Sequence, residues 1–386
     1  MDSAFIAVQT FIPKLTTTPV HENNSMSKLT VHCVGDIAPV RGALDILANP
    51  TAGEFLRQLL KSESQSDVTV ANLEAPVVSQ AALRENKRYN LRTDVSALDL
   101  FGARSVLSLA NNHIMDYGEQ GLAETISALN NRGIVHAGAG RNLEEASKPA
   151  LINVGGVRIG VLCCADPRFQ AATAQRAGTC PATVELVKTA VGELRPIADV
   201  VIVSVHMGIE FFPVPSKRQM ELAEVCADAG ISVLQFHHTH TISGIQKVGE
   251  CTVLFGTGNF LFPYAVAAGH RRAWHRTAAW SVDISLDQGK PVSTSVSWTP
   301  LLLDSTGLPT PAPEKTANSI DREIERWSER IKKGTTLQAW RLAYVFRPGY
   351  VWLAIVNYGD MVRRQGLSYT VRELGRGLRG SFTGRS

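Results

Sequence analysis

Residues 199–240 read DVVIVSVHMGIEFFPVPSKRQMELAEVCADAGISVLQFHHTH. DVVIVSVHMG is a β-branched, apolar run that carries His206, and ISVLQFHHTH is a second such run that ends on His237, His238 and His240. Between them, SKRQMELAEVCADAG has the marks of a helix: a capping-box start at Ser216 with Gln219, and a glycine stop at Gly230. Strands interleaved with helices imply a parallel or mixed sheet covered on its faces, and so an α/β fold.

The same alternation extends in both directions. LTVHCVG (29–35), DVTVANLE (67–74), SVLSLANN (105–112) and IVHAGAG (134–140) read as strands. LDILANPTAGEFLRQLL (44–60), GEQGLAETISALNNRG (118–133) and VELVKTAVGELRPIA (184–198) read as helices, the second stopped by Gly133. ALINVGGVRIGVLCCAD (150–166) predicts a hairpin about Gly155 and Gly156, and GIQKVGECTVLFGTGNF (244–260) another. AAWSVDISL (278–286) and VSTSVSWTPLLL (292–303) form a closing antiparallel pair. STGLPTPAPEK (305–315) is a Pro-rich boundary, followed by a charged amphipathic helix at 317–333 and an aromatic stretch at 337–364 that is either a packing appendage or a partner surface. The expected organisation is a polar arm over 1–28, a main α/β domain over 29–303, and a Pro-rich linker with a helical, Arg-rich extension over 304–386.

Composition narrows the class. With 386 residues, 44% apolar and 19% charged, the chain has an ordinary globular balance. There is no uninterrupted apolar run of membrane-spanning length, and SAFIAVQTFIP near the N-terminus is short and lacks a basic flank. A soluble, cytoplasmic protein without a transmembrane anchor is expected. Six cysteines show no CxxC pairing, and Cys163 and Cys164 sit in an apolar run as small core residues, so disulfides are not required. Residues 361–386 hold six arginines against Glu373, which leaves the rest of the +4 chain near neutral. A solvated helix end and a Gly-rich terminus account for that tail, and nucleic acid is not an expected partner.

The chemistry gathers at strand ends. Three of ten histidines fall within residues 237–240, a concentration that is unfavourable unless a group seeking neutral imidazole lies among them, and a metal ion is such a group. Asp36, Glu74, Asn112 with His113, His206, and His238 with His240 all stand at the C-terminal ends of predicted strands, where open α/β sheets bind ligands. Alternation along an extended segment puts His238 and His240 on one side and turns His237 away, to a packing role or one behind the ligands. A GxSxG elbow and a P-loop are absent, and GAGRNL lacks the third glycine of a dinucleotide fingerprint.

GDIAPVRG, ANLEAPV, LANNHIMDYGEQGL, HAGAGRNLEEASKPA, VSVHMGIEFFPVPSKRQMELAEVCADAG, HHTHTISGI and GTGNFLF resemble, in this order, the successive motifs of the CapA family of bacterial poly-γ-glutamate capsule biosynthesis proteins. That family's domain is similar to calcineurin-type metallophosphoesterases, and the resemblance spans about residues 30–265. It implies a metallophosphatase-like mixed β-sheet sandwich flanked by helices, here with a C-terminal helical appendage. It further implies that Asn112, His206 and His238 hold one metal, Asp36 and His240 a second, and that Glu74 bridges. Ala38 stands where the Asp-x-His motif of metallophosphoesterases has its histidine, which makes a single ion, or a second weak one, as plausible as a pair. Mixed carboxylate, amide and imidazole donors leave Mn, Mg, Fe, Ca and Zn open. His113, beside this cluster, is the candidate general acid, oriented by Asp116.

Three functions fit the residues: a metal-dependent hydrolase acting on a phosphoryl or peptide-like bond, with a peptide or acidic polymer as substrate; a metal-assisted peptide Cα epimerase using Asp36 or a histidine as base; and a non-catalytic scaffold of polymer assembly docking through its C-terminal region.

Overall fold

The computed structural model describes residues 28–40, 67–79, 90–263 and 272–335, together with Leu56 and Leu60. The expected arm up to residue 27, most of the expected helix over 44–60, and the aromatic and Arg-rich stretches beyond 335 lie outside the described residues.

Two mixed sheets face each other. The first is built on four parallel strands in chain order, β1 (Lys28–Ile37), β2 (Asp67–Leu73), β3 (Ser105–Ser108) and β4 (Val135–Ala137). On the far side of β1 it continues antiparallel through β14 (Arg276–Asp287), β15 (Lys290–Leu303) and β16 (Pro309–Pro311). The second sheet runs in the order β11 (Ile245–Val248), β12 (Cys251–Leu254), β10 (Val233–His237), β9 (Val200–His206), β7 (Val157–Ala165) and β6 (Ala150–Val154). Its four middle strands are parallel, and its edges are the hairpin partners β11 and β6. A two-stranded ribbon, β5 (Ala139–Gly140) with β8 (Gly178–Thr179), completes the strands apart from β13, described below.

The burial pattern explains the layering. Parallel strands covered on both faces are apolar at successive positions rather than alternating, and VVIVSVH in β9 is buried throughout. One set of side chains, including Val31, Val70, Ile159, Val161, Ile202 and Val233, fills the space between the sheets. The outer face of the second sheet is covered by α3 (Val184–Leu194) and α4 (Lys217–Asp228) through Val187, Val191, Leu222 and Cys226. The outer face of the first is covered by α1 (Gly118–Asn131) through Leu122 and Leu129, with Leu56 and Leu60 in the same cluster. The short helix α2 (Leu143–Ser147) packs beside the ribbon. The Ser216–Gln219 capping box at the start of α4 is present in both halves, and Gly230 adopts φ +72° after its end. All six cysteines are free and buried.

Two features differ from the sequence reading. GIQKVGECTVLFGTGNF does turn back as the β11–β12 hairpin, but it then crosses to the other sheet, where β13 (Asn259–Leu261) pairs parallel to β1. Glycine makes the crossing possible. Gly258 takes φ +77° and its carbonyl lies so close to Gly35 that any side chain at 35 would collide with it; that carbonyl accepts from Asp36 N at 2.9 Å.

The second difference lies at the expected boundary at 304. β16 is a strand of the first sheet, and its prolines are tolerated because it is the edge strand. The helix α5 (Glu314–Lys332) then closes one side of the sandwich. Ile320 and Ile324 enter the core between the sheets, Ser328 Oγ accepts from Ile245 N at 2.8 Å, and Trp298 Nε1 donates to Asp321 at 2.8 Å. Among the described residues no helix is long and apolar enough to cross a membrane.

Because Ile324 is fully buried between the sheets, Ile324→Ala is expected to destabilise the fold by about 2–5 kcal/mol in denaturant unfolding. A loss within the roughly 0.5 kcal/mol typical of surface positions would show that α5 is an accessory.

Candidate metal centre

The strand ends of both sheets meet along one edge. In the first sheet, Asp36 near the end of β1 is registered with Asn72 of β2 on one side and Asn259 of β13 on the other. In the second, His206 ends β9 between Ala165 and His237. Glu74 follows β2 directly, and Asn111, Asn112 and His113 follow β3.

Asp36 is buried, and the site is organised around it. Its Oδ1 accepts from Asn72 Nδ2 at 2.8 Å and lies 3.0 Å from His237 Nδ1. Its Oδ2 accepts from the His238 backbone N at 3.3 Å and lies 3.4 Å from His240 Nδ1. Burial by itself raises a carboxyl pKa; here the His237 hydrogen bond first, and then the electrostatic influence of the surrounding histidines, outweighs it and holds Asp36 below the usual carboxylate range.

Two of the imidazoles around this anion, His206 and His238, are held neutral. His206 is pushed well below its ordinary value by burial and then by the neighbouring His238, and His238 is lowered to about 3 by burial and then by His240. His206 Nε2 lies 2.8 Å from Asn112 Oδ1, 3.1 Å from His238 Nδ1 and 3.6 Å from Glu74 Oε1. His240 Nε2 is 3.9 Å from the same Glu74 oxygen, and its Nδ1 is 2.8 Å from Asn259 Oδ1.

Ligand-capable atoms of Glu74, His206 and His238 lie within 4.8 Å of one another, as do those of Asp36, Glu74 and His240, so Glu74 belongs to both groups. Contacts of about 3–4 Å between donors are those of neighbouring ligands on one ion at about 2.0–2.2 Å from each. Two buried carboxylates beside neutral imidazoles also need a cation, since burying carboxylate charge costs several kcal/mol per group without one. The donor set fits a divalent ion on both counts.

The backbone that presents the last histidines is left-handed. β10 ends at His237, and His238 and His240 take φ +81° and +54°. The expected alternation of an extended segment therefore does not bring them together; two turns of the chain through a region that L-residues seldom occupy do so. His237, which alternation was expected to turn away from the site, instead contacts Asp36 at 3.0 Å and, at 3.2 Å, Thr257 Oγ1.

His113 Nδ1 lies 2.7 Å from Asp116 Oδ2, and the same carboxylate oxygen accepts from Leu91 N at 2.7 Å. The charge of His113 is among those that lower His238, which places its ring beside the cluster. Aromatic rings wall the mouth: Phe169 against His238 with centroids 4.7 Å apart, Phe262 against His240 at 4.9 Å, and Phe211 stacked on Trp274 at 3.6 Å.

The structure brings Asp36, Glu74, Asn112, His113, Asp116, His206, His238 and His240 to this edge. Sequence reasoning passed over Asn72, Asn111 and Asn259. Asn111 Nδ2 donates to Asn72 Oδ1 at 3.1 Å and to the Leu73 carbonyl at 2.9 Å, and its Oδ1 accepts from the His113 and Ile114 backbone N–H groups. Amides buried inside otherwise apolar motifs, ANLE, LANNH and GTGNF, were the available signal.

Fold and site together define a two-sheet α/β protein whose sheets share an edge suited to divalent metal. Residues 30–264 match the family described as bacterial capsule synthesis protein PGA_cap, and the chain belongs to that family. It is 30% identical over 251 residues to the PGA biosynthesis protein CapA of Bacillus subtilis (strain 168), covering 64% of this chain and 66% of that one. It is 31% identical over 235 residues to a probable polyglutamine synthesis accessory protein of Mycobacterium tuberculosis, covering 56% and 61%. The matches thus span less than two thirds of these relatives' length. Among solved structures, it is similar to the calcineurin-like phosphoesterase YfkN from Bacillus subtilis at a TM-score of 0.44 and 13% identity, covering 79% of this chain and 99% of that one. A putative 5'-nucleotidase from Staphylococcus aureus gives a TM-score of 0.44 at 15% identity, covering 78% and 59%.

On unfolding, His238 regains an ordinary pKa of about 6.5 and takes up a proton that the folded site refuses. Stability conferred by the neutral state is therefore present above about pH 6.5 and is lost as pH falls toward the folded value of about 3. Chelator-treated protein is expected to show a melting temperature that declines steadily from about pH 6.5 to 4.5, with a shallower slope in His238→Asn. Equal slopes in the two proteins would contradict this protonation state.

Proposed function

We propose that this chain is a metal-dependent enzyme of the CapA type, with hydrolase-like chemistry on a phosphoryl or polyglutamate-like peptide bond, in polymer or peptide biosynthesis. The observation that carries this reading is Glu74, a buried carboxylate placed between two groups of ligand-capable side chains. Asn112, His206 and His238 would hold one ion, Asp36 and His240 another or the same one, and Glu74 either. Three imidazoles among these donors favour a transition ion such as Mn, Fe or Zn over the oxygen-bound Mg or Ca. A divalent ion there supplies Lewis acidity, polarising a phosphoryl or carbonyl oxygen and acidifying water.

The chain's own groups do the rest. His113 donates its Nδ1–H to Asp116, and its Nε2 is the atom through which a proton would pass to a leaving group. Phe169, Phe262 and the Phe211–Trp274 stack narrow the mouth and restrict water. The relatives' names speak of PGA biosynthesis and of polyglutamine synthesis, which supports a glutamate- or glutamine-based polymer as the substrate class. Epimerisation with Asp36 as base is less well supported, because both Asp36 oxygens are already engaged and its carboxyl is held at low pKa. For the scaffold reading, α5 buries one face through Ile320, Ile324, Trp327 and Ile331 and leaves its other face exposed, and residues beyond 335 lie outside those described.

Elemental analysis of purified protein should find bound transition metal, and hydrolysis of a panel of phosphate esters and γ-glutamyl peptides should respond to its removal and return. Glu74→Gln and His238→Ala are expected to reduce metal affinity and activity together, by on the order of 100-fold or more. His113→Asn should retain the metal and lose about 100-fold in kcat. Hydrolysis that survives Glu74→Gln unchanged would defeat the reading.

A further inference from the structure

At the rim of the centre stands a charged group that the chemistry above does not use. β7 ends at Ala165, and the next residue, Asp166, donates its backbone N–H to the His206 carbonyl at 3.0 Å. Asp166 is buried, and its charge is felt at His238. Two guanidinium groups face it. Arg168 clasps both oxygens, Nε to Oδ1 at 3.0 Å and Nη2 to Oδ2 at 2.8 Å. Arg218 brings Nη1 to 3.8 Å from Oδ1, beyond hydrogen-bond length, and its side chain is 41% exposed.

Both arginines are placed at the site by firm contacts. Phe169, next to Arg168, closes a tight turn on the Asp166 carbonyl at 2.8 Å and lays its ring against His238. Arg218 lies in the first turn of α4, and the adjacent Gln219 is buried with Nε2 donating to the Met207 carbonyl at 3.2 Å, one residue past His206.

One carboxylate neutralises one guanidinium. Arg168 already takes Asp166 bidentately, so the second positive charge is left over, half exposed, within reach of the same rim. Among the described residues Arg218 has only this 3.8 Å ion pair, and a guanidinium so placed offers a planar fork to an oxyanion.

We propose that Arg218, steadied by the Asp166–Arg168 pair, recognises an oxyanion of the substrate, a carboxylate or phosphate group beside the bond that reacts at the Glu74–His238 centre. The assignment rests on the metal-centre reading and adds to it a substrate that carries negative charge next to the reacting bond. A purely structural role is the alternative, and it predicts a different pattern: loss of thermal stability without loss of anion affinity.

Calorimetric titration of inorganic phosphate and, separately, of tri-γ-glutamate into the full chain tests the assignment, with native protein, Arg218→Ala and Arg218→Lys compared in Mn(II)-loaded and in chelator-treated form. At least one probe is expected to bind Arg218→Ala tenfold or more weakly, with Mn(II) uptake and melting temperature unchanged and with partial rescue in Arg218→Lys. A loss confined to phosphate assigns the group to a phosphoryl substrate, and a loss confined to the peptide assigns it to a carboxylate. Equal affinities in native protein and Arg218→Ala, or native protein that binds neither probe, would overturn the proposal. If native protein takes up no Mn(II), the metal reading fails, and the chelator-treated comparison decides the arginine's role by the same criterion.

Discussion

Everything at the shared edge depends on the environment of one carboxylate. Asp36 is held by an amide from its own sheet, by an imidazole and a backbone N–H from the other sheet, and by its backbone bond to Gly258. Remove that anion and the imidazoles lose the charge that orders them, while Asn72 loses the acceptor that fixes its amide. The absence of a side chain at Gly35 is part of the same constraint, because it lets the segment that leads into β13 approach β1 and deliver Asn259 to His240.

Burial gives this network its chemical character. In water, neighbouring imidazoles such as His206 and His238 would titrate near neutrality and repel when charged. Here desolvation comes first among the causes that lower His206 and His238, and the result is a set of lone pairs available at physiological pH. His237, from the opposite sheet, brings its Nδ1 to 3.0 Å from Asp36 and holds the carboxylate in place.

Much of this was legible in the sequence, for identifiable reasons. Long strands buried on both faces write themselves as apolar runs, and the capping box at Ser216 and the turn glycines mark helix ends unambiguously. Polar residues closing such runs stood out as Asp36, Glu74, His113 and His206. Three things were not legible. The left-handed backbone at His238 and His240 follows from tertiary contacts, and neither residue type announces it. The crossing of β13 to the first sheet depends on a close backbone approach between glycines more than 200 positions apart in the chain. The place of α5 was hidden by composition, since a Pro-rich stretch reads as a linker although an edge strand accommodates it.

The hydrogen bond from His238 to Asp36 joins residues separated by 202 positions. Such contacts form late, because the entropy of closing so long a loop is repaid only after the intervening strands have paired. During synthesis, β1 to β9 emerge before the histidines of residues 237–240, so the early strands assemble while the centre still lacks His238 and His240, two of its six candidate donors. Assembly of the full donor set is thereby reserved for a chain whose two sheets have already docked.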